Sequence, residues 1–110
     1  MMIRSLYDRA MAEFLVEIEI ELPPSMPDDE RTAMLSAEAE RGRELRDAGS
    51  IVHMWRVPGR RANVGLWEAA DASELHELLS SLPVFPWMNI QVRPLAEHYL
   101  MREDRSPSTT

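Results

Sequence analysis

Residue 38 is a glutamate in a stretch whose spacing otherwise predicts the buried face of a helix. At about 100° per residue, one narrow stripe contains Met34, Glu38, Arg41, Leu45 and Ala48. A carboxylate in such a stripe must be paired, hydrogen-bonded or open to a cavity, because burying it alone is costly. Two interpretations follow. Glu38 forms an ion pair with Arg41, or it lines a pocket and acts as a general base whose pKa is raised by desolvation.

A histidine lies on a strand face that is otherwise apolar. Alternation along residues 51–57 predicts one face, directed towards the helices, that contains Ile51, His53, Trp55 and Val57. His53 would then point towards Glu38, and two titratable groups sharing one space are typical of a proton-transfer site. The alternative is a histidine whose hydrogen bonds are satisfied within the core.

The three histidines do not have the spacing of a metal site. His53, His76 and His98 are far apart in the sequence, and no carboxylate completes a ligand set with them. The chain has no cysteine, which excludes thiolate ligands, a thiol nucleophile and disulfides. We therefore expect no bound metal ion and no chemistry that depends on a cysteine thiol. The composition is consistent with a reducing, cytoplasmic location.

The charge balance argues against two classes of partner. The formal net charge is −7 over 110 residues, whereas binding to a nucleic-acid backbone requires a basic face. No apolar run approaches the roughly 20 residues that a membrane span needs. We expect neither nucleic acid nor membrane as a partner, and an anionic small molecule would require locally clustered arginines.

The hydrophobic periodicity predicts six elements in the order β-α-β-β-α-β. Strands are expected over residues 12–22, 50–57, 62–69 and 89–95, and helices over about 27–48 and 71–82. Two strand-helix-strand units with right-handed crossovers give a ferredoxin-like α+β fold, a four-stranded antiparallel sheet with both helices on one face. Residues 12–98 would form this single domain, with a disordered extension over 1–11 and a flexible tail over 99–110.

The sheet face away from the helices needs a partner or must be solvated. On it we expect the glutamates of the first strand together with Arg56 and Arg93, next to the apolar Met54 and Trp67. This mixture favours the pairing of subunits sheet to sheet, with a solvated face as the alternative.

Several motifs together resemble the muconolactone Δ-isomerase family. They are the His-Met-Trp-Arg strand, the Gly-Arg-Arg-Ala-Asn start of the next strand, the Leu-His pair of the second helix, the Leu-Pro-Val-Phe-Pro loop and the final "RPLAEH". The resemblance extends from about Met11 to His98. It implies ferredoxin-like subunits that form α+β-barrel dimers and larger rings, commonly decamers. It also implies cofactor-free isomerisation of muconolactone, a small anionic lactone, to 3-oxoadipate enol-lactone, in catechol degradation through the β-ketoadipate pathway.

The resemblance also implies roles for individual residues. Glu38 matches a glutamate of the family's first helix, and His53 matches its strand histidine. We hypothesise Glu38 as the proton carrier and His53 as donor to the oxyanion or second proton-transfer group. Other residues would bind the substrate. The ligand of the substrate carboxylate would be an arginine, with Arg41 as the first candidate and Arg56 as the second, and two aromatic side chains would form walls of the pocket. The walls are Trp55 and Phe85. Arg61 departs from the family, which usually has a tyrosine at this position.

Two other functions fit the same sequence. One is a related enzyme on the same scaffold, a methylmuconolactone-type isomerase or a cofactor-free monooxygenase, because fold does not fix function. The other is a non-catalytic ligand-binding or assembly domain. The non-catalytic alternative predicts an exposed Glu38–Arg41 ion pair and no cavity, whereas the isomerase predicts a closed pocket where Glu38 and His53 converge.

Overall fold

The computed structural model describes residues 11–104, with side chains described as far as residue 101. Its strands are β1 (Ala12–Ile20), β2 (Ile51–Arg56), β3 (Ala62–Ala69) and β4 (Met88–Leu95), and its helices are α1 (Asp28–Asp47), α2 (Ala72–Ser80) and α3 (Tyr99–Asp104). A single 3-10 turn, Phe85–Trp87, connects α2 to β4.

The four strands form one antiparallel sheet in the order β2-β3-β1-β4. The two units β1-α1-β2 and β3-α2-β4 therefore interleave, with β1 and β3 at the centre and β2 and β4 at the edges. This confirms the predicted ferredoxin-like α+β fold. Within the described residues, no helix is long and apolar enough to cross a membrane.

The core lies between one sheet face and the two long helices. Alternation along β1 buries Phe14, Val16 and Ile18, each at most 4% exposed. Helix α2 covers them with Leu75 and Leu79. Burial of each large apolar side chain contributes about 1.5–3 kcal/mol, so this cluster is the main source of the domain's stability.

The helix boundaries follow from local signals in the sequence. Asp71 caps α2 by accepting a hydrogen bond from the Glu74 backbone N–H at 2.8 Å, and the Glu74 carboxylate accepts one from the Ala70 N–H at 2.6 Å. Gly49 follows α1 with a φ of +88°, a conformation that is costly for residues with a Cβ. The sequence predicted both boundaries for these reasons.

A β-bulge in β2 reverses the face on which its later side chains lie. Ile51 pairs with Trp67, but the next paired residue, His53, lies opposite Leu66, so Val52 is an extra residue in the strand. His53 and Trp55 consequently lie on the sheet face away from the helices. The prediction that they face the first helix is therefore wrong, because simple alternation does not anticipate an inserted residue.

Three side chains predicted on the outer sheet face lie on the helix face instead. Met54 pairs with Gly65, and Arg56 pairs with Asn63, on the side towards the helices. Trp67 pairs with Phe14 of the core and is fully buried. The outer face keeps the glutamates of β1 and Arg93, together with the apolar Leu15 and Val64.

The end of the described chain also differs from the prediction. Tyr99–Asp104 forms a short helix, where a flexible tail was expected from residue 99 onwards. The predicted N-terminal extension, apart from Met11, lies outside the described residues.

Helix α1 is anchored to the core at one point. All of α1 is described, and Leu45 is its one buried residue, 2% exposed. The rest of this 20-residue helix is exposed or half-buried. Leu45 is therefore the one side chain of α1 that is fully packed into the core.

This anchoring predicts unequal effects of two leucine truncations in α1. Leu45→Ala should lower the free energy of unfolding by about 2–5 kcal/mol, because it removes a buried side chain and leaves a cavity. Leu35→Ala, at a position 41% exposed, is the matched control and should change it by about 0.5 kcal/mol or less. Urea denaturation followed by circular dichroism measures both, and equal losses would contradict the single anchor.

Candidate active site

An open cleft of about 580 Å³ lies between α1 and the β2 side of the sheet. This volume is in the range of small-molecule sites. Helix α1 forms one wall, β2 the second and β3 the floor. Among the residues that line it are Glu38, Arg43 and Arg46 on the helix, Met54 and Arg56 on β2, and Asn63 and Trp67 on β3.

The cleft exists because small residues of α1 face the sheet. Ala39 and Gly42 line it on the helix side, and neither has a side chain long enough to reach the strands. The anchoring leucine, Leu45, lies one turn beyond them. The gap therefore remains open where a regular apolar stripe would have closed it.

Glu38 lies in this cleft as a half-buried carboxylate. Its Oε1 accepts a hydrogen bond from the Val84 backbone N–H at 3.0 Å. Desolvation by burial raises the pKa of Glu38, and the Val84 hydrogen bond opposes this effect without cancelling it. Among residues 11–101, no cation forms a salt bridge with Glu38. A carboxylate that is desolvated, held at one oxygen and unpaired with a cation can accept a proton from a ligand.

Arg41 lies outside the cleft, at the contact between α1 and the end of α2. Its guanidinium donates to Ser81 Oγ at 3.0 Å and to Glu44 Oε1 at 2.8 Å. The ion pair with Glu38 that the sequence allowed is therefore not formed. Arg41 does not line the cleft that contains Glu38.

Arg56, the second candidate for the carboxylate ligand, lines the cleft, whereas Arg41 does not. It lies on the helix face of β2 and lines the cleft. Arg56 forms no salt bridge with the residues whose side chains are described. Its charge is thus available to an anion.

Two further arginines extend the positive charge along the helix wall. Arg43 pairs with Glu40 at 3.3 Å, and Arg46 pairs with Asp47 at 3.0 Å. Both pairs are exposed and weak. The sequence signal for this wall is the i, i+4 spacing of Glu38, Gly42 and Arg46, which lies beside the apolar stripe of the helix.

His53 and Trp55 do not converge with Glu38. Their rings stack at a centroid distance of 5.4 Å with an interplanar angle of 18°, on the opposite face of β2. His53 contributes to the edge of the cleft, where its carbonyl oxygen lies close to Gly65. The predicted convergence of two titratable side chains is therefore absent from the described part of the chain.

Phe85 also lies apart from the cleft. It is half-buried against the core and meets His76 edge to face at 6.2 Å. The Pro-flanked loop nevertheless reaches the site through its backbone, because the fully buried Val84 donates to Glu38. The loop thus positions the carboxylate and does not form an aromatic wall.

Asn63 and Trp67 form a polar floor that the sequence analysis missed. Asn63 Oδ1 and Trp67 Nε1 are buried without a hydrogen-bond partner among the described residues. The strand alternation of β3 was compatible with either face, and Trp67 was predicted on the wrong one. The residues between 11 and 104 contain no group of three or more His, Asp or Glu side chains that could hold a metal ion.

The cleft can be compared with what a non-catalytic domain and an isomerase each predicted for this region. A non-catalytic domain predicted a Glu38–Arg41 ion pair and no cavity, and the structure has a cavity and no such pair. The isomerase predicted a closed pocket, whereas the observed cleft is open and contains Glu38 without the His53 side chain.

Comparison with known proteins places the sequence close to muconolactone delta-isomerases. The family model for muconolactone delta-isomerase matches residues 12–100. The chain is 34% identical over 88 residues to a muconolactone delta-isomerase of Rhodococcus opacus, covering 80% of this chain and 95% of that one. It is 41% identical to muconolactone delta-isomerase 2 of Acinetobacter lwoffii, covering 77% and 88%.

The fold agrees with that of a solved relative. A crystal structure of muconolactone isomerase superimposes with a TM-score of 0.74 at 32% identity, covering 78% of this chain and 90% of that chain. Sequence and fold therefore agree over nearly the whole described domain. The chain belongs to the muconolactone Δ-isomerase family.

Proposed function

We propose that this protein is a cofactor-free isomerase that converts muconolactone to 3-oxoadipate enol-lactone, in catechol degradation through the β-ketoadipate pathway. The observation that carries the proposal is the Glu38 carboxylate, half-buried in a cleft of suitable size and unpaired with any described cation. Family membership supplies the reaction class, and the cleft supplies the groups that this reaction needs.

The reaction moves one proton and one double bond within the lactone ring. Glu38 removes the proton from C4, the C2=C3 double bond moves to C3=C4, and negative charge develops on the lactone carbonyl oxygen. The protonated Glu38 then returns a proton to C2. The step needs a positioned base and a donor for the oxyanion, but no change in oxidation state of the lactone as a whole.

Two features of Glu38 suit it to this role. Desolvation raises its pKa, which makes the carboxylate a stronger base towards a carbon acid than an exposed glutamate. The Val84 N–H holds Oε1, so Oε2 has no hydrogen bond to the described residues and is available for the proton.

Arg56 is our proposed ligand for the substrate carboxylate. It lines the same cleft as Glu38 and forms no salt bridge with any residue whose side chain is described. Arg43 and Arg46 add positive charge along the helix wall. Arg56 therefore places a positive charge in the cleft of a chain whose net charge is −7, and this charge can attract an anionic lactone.

The outer sheet face suggests self-association, and we propose that it pairs two subunits. Trp55 is 52% exposed on this face, next to the stacked His53. The face also combines the apolar Leu15 and Val64 with Arg93. A mixed face with an exposed aromatic residue is typical of interfaces. His53 and Trp55 are thus assigned to the subunit contact and not to the walls of this chain's cleft.

Replacement of Glu38 tests its role as the base. In deuterated water, the wild-type protein should isomerise muconolactone and incorporate deuterium at C2, and Glu38→Gln should lower kcat by about a hundredfold or more, because the amide cannot accept the proton. Glu44→Gln, on an exposed residue of the same helix, is the matched control and should retain wild-type kcat. No turnover by the wild type at high enzyme concentration would refute the substrate, and full activity of Glu38→Gln would refute the base.

The same variant should be more stable than the wild type at neutral pH. Because burial raises the pKa of Glu38 in the folded state, the wild-type free energy of unfolding falls as pH rises from the unfolded pKa of about 4.3 through the folded pKa. Gln does not titrate and keeps an oxygen that can accept the Val84 hydrogen bond. Urea denaturation should show a stability gain at pH 7 that shrinks below pH 4; a gain independent of pH would contradict this cause.

The effect of each substitution on KM tests whether Arg56 or Arg41 binds the substrate carboxylate. Arg56→Met should raise KM about 10- to 100-fold with a smaller effect on kcat, because it removes a charge-assisted hydrogen bond to the substrate. Arg41→Met keeps a similar length outside the cleft and should leave KM within about twofold. Initial-rate kinetics on muconolactone measure both, and the reverse pattern would return the carboxylate to Arg41.

A further inference from the structure

Two polar atoms on the floor of the cleft are buried without hydrogen bonds. Trp67 Nε1 and Asn63 Oδ1 have no partner among the described residues, and Trp67 is fully buried. Leaving such groups unpaired is costly, and native proteins rarely do so. The mechanism proposed above uses neither residue.

Both groups lie beside the space where the lactone would bind. Asn63, Gly65 and Trp67 alternate on the helix face of β3, and both Asn63 and Trp67 line the cleft that contains Glu38. A Cβ built on Gly65 would lie 3.0 Å from Trp67 Nε1. The indole N–H is therefore next to a position that has no side chain.

The Met54 side chain occupies the same space. Its Cε would lie 3.2 Å from the Cβ built on Gly65, so the methyl group and the indole nitrogen both lie against that position. Met54 is 41% exposed, and its unbranched thioether has low barriers to rotation. Rotation of this side chain would uncover the indole N–H to the cleft.

We propose that the Trp67 indole N–H is the donor that binds the lactone carbonyl oxygen, with the Met54 methyl moving aside when the ring enters. The inference rests on the proposed function and adds the oxyanion-binding group to it. The Asn63 amide lies on the same floor and can present its NH2 by a half-turn about its terminal bond.

The donor role fits the charge changes of the reaction. When Glu38 removes the C4 proton, the electron pair moves through the ring and the carbonyl oxygen becomes negative. The Trp67 N–H strengthens its hydrogen bond to this oxygen but transfers no proton, so it is unchanged when Glu38 protonates C2. A donor that the fold holds in place stabilises such charge without reorganisation.

Indole NMR tests the contact directly in the wild-type protein. The chain has three tryptophans, whose ¹⁵N-indole resonances can be assigned by single Trp→Phe substitutions. The probe is (5-oxotetrahydrofuran-2-yl)acetate, a saturated lactone that lacks the double bond and cannot react. On its addition, the Trp67 indole proton should move downfield as it gains a hydrogen bond, more than those of Trp55 and Trp87. An unchanged Trp67 resonance in the presence of bound probe would overturn the proposal.

Kinetics separate this inference from the proposed function. Trp67→Phe keeps an aromatic ring but removes the donor, and it should lower kcat about 100-fold or more while KM changes much less. Trp87→Phe, outside the cleft, is the control and should retain wild-type kcat. Wild-type turnover with an unchanged kcat in Trp67→Phe would overturn the donor alone, whereas a wild type without turnover would overturn the proposed function and the donor with it. If Trp67→Phe does not fold, the indole NMR result on the wild type decides.

Discussion

The hydrogen bond from the Val84 N–H to Glu38 is the interaction on which the site depends. Helix α1 has one buried anchor, Leu45, at its C-terminal end. Near its middle, the Val84 bond ties it to the loop before β4. Because the donor is a backbone group of a fully buried residue, the carboxylate is held by the fold itself and not by a mobile cation. A half-buried glutamate can thereby remain a base.

The cleft is a compromise between stability and chemistry. Closing the gap over Ala39 and Gly42 with larger apolar side chains would bury more surface, but it would fill the space beside Glu38. Raising the pKa of a carboxylate by burial likewise costs stability when the group is charged. Unpaired polar atoms on Asn63 and Trp67 add to this cost. Such costs are commonly concentrated at functional sites.

The two faces of the sheet carry different arrangements of charged side chains. On the helix side, Arg43, Arg46 and Arg56 surround the cleft. On the outer side, Arg60 binds Glu17 and Glu19 of β1 at 3.2 and 3.0 Å, which neutralises part of the acidic strand. An acidic chain can therefore present the Arg56 cation to an anionic ligand, because the field at a site depends on the nearest charges and not on the net charge alone.

The sequence alone determined the order of elements, the helix ends and Glu38 as the unusual residue, because these depend on periodicity and capping within short segments. It did not determine which side chains surround Glu38. One extra residue at Val52 placed the His53 side chain on the outer sheet face and Arg56 on the helix face, and the pairing of β3 placed Trp67 on the floor. Strand alternation gives two faces but not which face meets the helices, since a single bulge exchanges them. Only the tertiary pairing of the strands decided that choice.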